Sequence, residues 1–132
     1  MTYRKILLTA GVIGMLAVVL GAFGAHSLKD MLPLNKLAIY KTGVTYQFYH
    51  VLALLIVGLL IKSSPSKFLS WSAICFCIGI LCFSGSLYLL ATREIIGLTN
   101  YRWLGPITPI GGVFFILGWG FIVVEALRNT DK

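Results

Sequence analysis

The chain has 132 residues, of which 58% are hydrophobic and only 11% are charged. Soluble domains average about 25% charged residues, so the composition excludes an ordinary soluble domain and indicates one membrane domain over residues 1–132. The net charge of +7 comes from 11 Lys and Arg against four Asp and Glu. These basic residues are scattered between apolar runs. They therefore favour contact with anionic membrane lipids and do not form the patch that nucleic-acid binding requires.

Four apolar segments, residues 6–25, 43–61, 68–91 and 109–127, are each long enough to cross a hydrocarbon core about 30 Å thick. The prediction is an all-α membrane protein with four transmembrane helices in a small bundle. A signal peptide is the alternative for the first segment, which has a basic start and small residues at positions 22–25. We favour a retained helix, because signal peptides usually have apolar cores of only about 7–15 residues.

Two stripes of small residues predict close helix packing. Their members recur every three or four positions, which places them on one helix face and lets another helix approach. The first and third segments carry these stripes, in order Ala10, Gly14, Ala17, Gly21, Ala25 and Ser72, Cys75, Gly79, Cys82, Ser86. We expect both faces to point into the bundle.

Helix starts are predicted at two polar positions. Asn35 is expected to cap the second helix. Thr108 followed by Pro109 fits an N-cap with proline at the first helical position, which would leave free backbone N–H groups at that end.

A group of polar and aromatic residues is predicted to meet near one membrane face. A buried polar group in a membrane helix must find a partner or water, so these residues are candidates for a small ligand site holding a headgroup, an anion or water. They are His26, Tyr46, Gln47, His50, Ser84, Ser86, Tyr88 and Thr108. Simple cross-linking of helices by His50 and Gln47 is the favoured alternative, and the tyrosines also suit the interfacial aromatic belt.

Metal, cofactor and catalytic sites are not expected. Cys75, Cys77 and Cys82 lie in one apolar run without a metal-binding spacing and are interpreted as packing residues. Two histidines at one level are too few for a typical metal site. Ser84 and Ser86 do not form a nucleophile motif, and no carboxylate is expected beside His50.

The expected location is the cell membrane, as a multi-pass protein with both termini in the cytoplasm. Six basic residues fall on the terminal side and five on the other, and the terminal ones lie closer to the ends of the spans, where the positive-inside bias acts. The terminal-side residues are Arg4, Lys5, Lys62, Lys67, Arg128 and Lys132.

Several motifs resemble the transmembrane-protein-256 family, a group of small membrane proteins classed as a domain of unknown function. They are GAFGAH at 21–26, Tyr46-Gln47 with His50, FSGSLY at 83–88, and GPITPIGG at 105–112 with Gly118-Trp119. The resemblance covers almost the whole chain and implies four membrane helices, with His26 and His50 on the family's two histidine positions. Ser27 stands where the family is expected to have glycine.

The leading functional hypothesis is a non-enzymatic protein that binds membrane lipids, or packs against a membrane protein partner or a second copy of itself. A small transporter or channel component lined by Gln47, His50 and Thr108 is the alternative. The polar residues crowd to one side of the predicted bundle, which favours binding over transport. An enzyme ranks third, because a second ionisable group beside His50 is not expected.

Overall fold

The computed structural model describes residues 1–129, and within that range the fold is entirely helical. The helices are α1 (Tyr3–His26), α2 (Leu34–Ser63), α3 (Lys67–Gly79), α4 (Gly85–Thr92) and α5 (Leu104–Asn129). A π-helical turn, Ile80–Ser84, joins α3 to α4, so that Lys67–Thr92 forms one continuous span. Four helices are each long enough and apolar enough to cross a membrane: α1, α2, this third span and α5. The predicted fold class is confirmed.

The start of α1, the end of α5 and the α2–α3 connection lie at the same end of the bundle, which we call the terminal end. The Lys62 ammonium lies 6.0 Å from the centre of the Tyr3 ring, and the Ser66 hydroxyl donates to the Glu125 carboxylate. Ser66 also caps α3, since its hydroxyl accepts the Phe68 N–H at 3.1 Å. Lys132, assigned to this side from the sequence, lies outside the described residues.

The predicted start of α2 was wrong by two residues and that of α5 by five. Pro33 occupies the cap position of α2, so Asn35 lies inside the first turn. Helix α5 begins at Leu104, and Pro109 is therefore inside the helix and not at its start. Pro109 is the sixth residue of α5, beyond the first four N–H groups that lack intrahelical partners, so its missing N–H removes one hydrogen bond, to the Gly105 carbonyl.

Helix α1 packs against α2 through the predicted small residues. Ala10 and Ala17 are fully buried. A side-chain carbon added at Gly14 would lie 3.3 Å from Val51, and one added at Gly21 would lie 3.4 Å from Val44. Ala25 is exposed, so the expectation for this stripe is confirmed except at its last member.

Helices α3 and α5 interlock by pairing glycine with phenylalanine in both directions. The ring of Phe115 on α5 occupies the place where a Gly79 side chain would be, and the ring of Phe76 on α3 does the same at Gly118. Phe76 is fully buried and Phe115 nearly so. Because each ring packs on a glycine of the opposite helix, α3 and α5 lie close together beside the middle of α2.

Candidate functional site

His50 is buried in the middle of α2, and both of its ring nitrogens are hydrogen-bonded. Nδ1 lies 2.8 Å from the Tyr46 carbonyl oxygen. Nε2 lies 3.3 Å from the indole Nε1 of Trp119 on α5. A carbonyl only accepts and an indole N–H only donates. These two contacts therefore select the neutral tautomer, in which Nδ1–H donates to Tyr46 and Nε2 accepts from Trp119.

The His50 ring is enclosed by aromatic side chains. It stacks on Phe115, with centroids 3.5 Å apart and planes inclined by 6°, and the Phe76 ring is 5.4 Å away. These two rings also pack on glycines of the opposite helix, Phe115 on Gly79 and Phe76 on Gly118. Only 5% of His50 is exposed. The packing between α3 and α5 therefore builds the enclosure for a histidine of α2.

Gln47, one turn before His50, ties three elements together. Its side-chain N–H donates to the Ile13 carbonyl of α1 at 2.9 Å, and its carbonyl oxygen accepts from the Tyr88 hydroxyl of α4 at 2.6 Å. Gln47, His50, Tyr88 and Trp119 are called the polar centre below. Through these four side chains α2 is hydrogen-bonded to α1, α4 and α5.

The polar centre lies deeper than the sequence interpretation placed it. Ile13 is the eleventh of the 24 residues of α1, and Gln47 is the fourteenth of the 30 residues of α2. Their contact is thus at the middle of both helices and not at the mouth of a span. Helix α2 is continuous over its 30 residues, from Leu34 to Ser63.

Thr108 joins α4 to α5 and does not cap a helix. Its hydroxyl is 2.7 Å from the Ser86 hydroxyl, and Ser86 also donates to the Phe83 carbonyl at 3.0 Å. Because α5 begins at Leu104, the free N–H groups predicted at Thr108 belong to the preceding turn.

Three predicted residues stay outside these hydrogen-bonded side-chain pairs. His26 is exposed at the end of α1, 13 residues or about 20 Å along the helix from the Ile13 contact. Tyr46 contributes its backbone carbonyl to His50, and its ring packs against Phe83 at 4.7 Å. The Ser84 hydroxyl is buried without a partner in the described part of the chain. Its carbonyl approaches Gly43 of α2, where only a small residue fits.

Sequence reasoning missed Trp119 and the backbone acceptors. A tryptophan in the middle of a span needs a partner for its indole N–H. That need was the sequence signal for Trp119, and its partner is His50. The carbonyl oxygens of Ile13 and Leu20, the latter bonded to the Tyr40 hydroxyl at 2.9 Å, have no sequence signature. Within residues 1–129 no three His, Cys, Asp or Glu side chains are grouped so that they could hold a metal.

Two apolar clefts flank Gly85, on the surface of the bundle. The α4–α5 cleft has a volume of about 470 Å³ and runs from Leu81 to Trp103 and Ile107. The α1–α4 cleft has a volume of about 360 Å³ and lies between α1 and the third span. Leu81, Gly85 and Tyr88 line both clefts. A side-chain carbon added at Gly85 would meet nothing within 4 Å.

Four spanning helices around an internal polar centre define a small multi-pass membrane protein. Residues 20–112 match the family described as protein of unknown function (DUF423). A UPF0382 membrane protein of Staphylococcus epidermidis is 47% identical over 114 residues, 86% of this chain and 88% of that protein. The UPF0382 inner membrane protein YgdD of Escherichia coli is 38% identical over 100% of this chain and 96% of its own.

The chain therefore belongs to the DUF423, or UPF0382, family of membrane proteins. No solved structure matches it.

Proposed function

We propose that the protein is a non-enzymatic membrane protein that binds a lipid hydrocarbon chain in the clefts beside Gly85. The main support for this proposal is the open space around Gly85. This glycine lies between two apolar clefts of about 470 and 360 Å³. Volumes of this size are typical of ligand pockets. Both clefts lie on membrane-spanning helices, so molecules dissolved in the bilayer reach them directly.

The lining favours a hydrocarbon chain over a polar ligand. The Tyr88 hydroxyl, on the floor of both clefts, already donates to Gln47, and the Ser86 hydroxyl is shared with Thr108. Trp103 lies at one end of the α4–α5 cleft, with its indole bonded to the Asn100 carbonyl at 2.7 Å. An indole at that position suits the membrane interface, so a lipid headgroup would lie near Trp103 and its chain along α4.

The polar centre supports binding better than transport or catalysis. Both nitrogens of His50 and both polar atoms of Gln47 are engaged inside the bundle. A transport path needs polar groups that water or a substrate can reach, whereas only 3% of Gln47 and 5% of His50 are exposed. The described carboxylates, Asp30, Glu94 and Glu125, lie near the ends of the spans, far from His50.

The test is native mass spectrometry of the protein released from mild detergent, comparing wild type with Gly85→Leu. The leucine fills the clefts without meeting the bundle interior. Gly120→Leu is the matched control, since a side chain at Gly120 on α5 also meets nothing within 4 Å. We expect a defined lipid on the wild type and on Gly120→Leu, and its loss from Gly85→Leu.

Equal lipid retention by all three proteins would contradict the proposal. A dimer that Gly85→Leu alone disrupts would assign the clefts to a second copy of the chain and would also overturn lipid binding.

We further propose that both termini lie in the cytoplasm. The described basic residues of the terminal end are within a few residues of the helix ends, where the positive-inside bias is strongest. A fluorescent protein fused to the C-terminus is expected to fluoresce in cells, while alkaline phosphatase at the same position stays inactive. The reverse pattern would invert the orientation.

We also infer that the DUF423 family and the transmembrane-protein-256 family share this fold. The inference is supported by the motifs at residues 21–26, 83–88 and 105–112, which occur in the same order.

A further inference from the structure

A second pocket, separate from the clefts beside Gly85, opens at the terminal end of the bundle. It has a volume of about 440 Å³ and lies between the α2–α3 connection and the last turns of α5. Lys67, Phe68, Glu125 and Arg128 line it, together with the hydroxyl residues Ser64 and Ser66. Gly85 is 18 residues after Lys67, which corresponds to roughly 27 Å along the span.

Two cations converge on this pocket through one aromatic ring. The Lys67 ammonium lies 5.5 Å from the centre of the Phe68 ring, and the Arg128 guanidinium carbon lies 4.9 Å from it. Cation–π contacts at these distances hold the charges in place. The pocket also contains the Glu125 carboxylate, which accepts from Ser66, so among residues 1–129 two positive charges of its lining face one negative charge.

An apolar cleft continues from the charged pocket toward the hydrocarbon region. It has a volume of about 210 Å³, shares Ser64 and Glu125 with the pocket, and is lined by Leu60, Leu69 and Ile122 of α2, α3 and α5. A cationic opening at the membrane surface with an apolar extension below it matches the two parts of a phospholipid.

We propose that this pocket binds the headgroup of an anionic phospholipid, with the phosphate between Lys67 and Arg128 and an acyl chain in the adjoining cleft. The excess of one positive charge favours a headgroup with a net negative charge over a zwitterionic one. Arginine suits this position because its planar group can give two hydrogen bonds to a phosphate. The Ser64 hydroxyl adds a further donor at the same level, whereas the Ser66 hydroxyl already donates to Glu125.

The test compares two doubly substituted proteins by native mass spectrometry, with phosphatidylglycerol titrated into mild detergent. Lys67→Gln with Arg128→Gln removes both cations of the pocket. Arg4→Gln with Lys5→Gln removes the same charge from exposed positions at the same end of the bundle, outside the pocket. Phosphatidylcholine and inorganic phosphate are titrated in parallel.

We expect the dissociation constant for phosphatidylglycerol to rise about tenfold or more in the pocket variant and to stay within about twofold of wild type in the control. Wild type should prefer phosphatidylglycerol over phosphatidylcholine.

Equal losses of phosphatidylglycerol affinity in the two variants would show that the lipid responds only to general surface charge, and would overturn the site. Equal binding of the two lipids would overturn the charge selection. Inorganic phosphate that binds as tightly as the lipid would reassign the pocket to a soluble anion and overturn the role of the acyl chain. Gly85→Leu leaves this pocket unchanged, so the two proposals fail independently.

Discussion

Gly79 and Gly85 lie six residues apart in the third span, on either side of the π-helical turn, and they differ in what surrounds them. At Gly79 the Phe115 ring occupies the space of the missing side chain, whereas at Gly85 that space is empty. The first glycine lets α5 approach and carry Phe115 onto His50. The second leaves two clefts open to the bilayer.

The third span is therefore divided into a closed part and an open part. In the closed part α3 and α5 interlock and enclose the polar centre. In the open part α4 packs through Tyr88 and Ala91 against α2, and single hydrogen bonds run from Tyr88 to Gln47 and from Thr108 to Ser86. A π-helical turn shifts the side chains that follow it around the helix axis, and such turns are frequent at functional sites.

The same substitution at the two glycines should have opposite consequences. Gly79→Leu is expected to lower the free energy of unfolding by about 3 kcal/mol or more, because the new side chain overlaps the Phe115 ring and overpacks the interface. Gly85→Leu is expected to change it by less than about 0.5 kcal/mol. Unfolding by titration with SDS in mild detergent measures both.

If Gly79→Leu does not fold, Gly79→Ala provides a milder version with an expected loss of about 2 kcal/mol. Similar effects of alanine at positions 79 and 85 would refute the division of the span.

His50→Ala should be the next most damaging change, with a loss of about 2 kcal/mol. It removes the stack on Phe115, leaves a cavity and deprives the Trp119 N–H of its acceptor. His50→Phe keeps the stacked ring and removes the acceptor for Trp119 and the donor to the Tyr46 carbonyl, so we expect a loss of about 1 kcal/mol. Thermal unfolding in detergent separates the two contributions, and an unchanged stability for His50→Ala would contradict a structural role.

Gln47 and Tyr88 connect the closed part to the open part, and a double-mutant cycle measures their connection. Gln47→Leu and Tyr88→Phe each break the 2.6 Å hydrogen bond. We expect a coupling free energy of about 0.6–1.7 kcal/mol, the range found between membrane helices. Additive effects of the two substitutions would show that this contact does not stabilise the bundle.

The smallest effect is expected at the Ser86–Thr108 pair. Thr108→Val preserves the shape of the side chain and removes the hydroxyl, so the expected loss is about 0.6 kcal/mol. Ser86→Ala should match it, because Ser86 keeps no other interhelical bond. A loss above about 2 kcal/mol in the free energy of unfolding would make this pair a main source of stability, which would contradict the division of the span into a closed and an open part.

The spans and one packing face could be predicted because they depend on local pattern. Hydrophobic length identifies each helix, and the three- and four-residue spacing of Ala10, Gly14 and Ala17 identifies the face that meets α2. Helix starts were less certain, as Thr108 shows. A Thr-Pro pair has the same local signature at an N-cap and in the second turn of a helix.

The site could be predicted only in part. Gln47 and His50 stood out as polar residues in an apolar run, but three of their four partners come from other helices, and two of the four are backbone carbonyls. The depth of the polar centre depends on the register between α1 and α2, which no single segment encodes. The clefts beside Gly85 arise from an absent side chain, and the glycine-rich segment gives no local sign of which glycine is open.

Photocrosslinking with a diazirine-bearing phospholipid tests lipid binding beside Gly85 most directly, since it maps lipid contacts residue by residue in the membrane. We expect adducts concentrated on residues 81–89 in the wild type and in Gly120→Leu, and depleted there in Gly85→Leu. Adducts spread evenly over the lipid-facing residues of α1 and α5, and unchanged by Gly85→Leu, would show only the ordinary surrounding lipid and would contradict lipid binding beside Gly85.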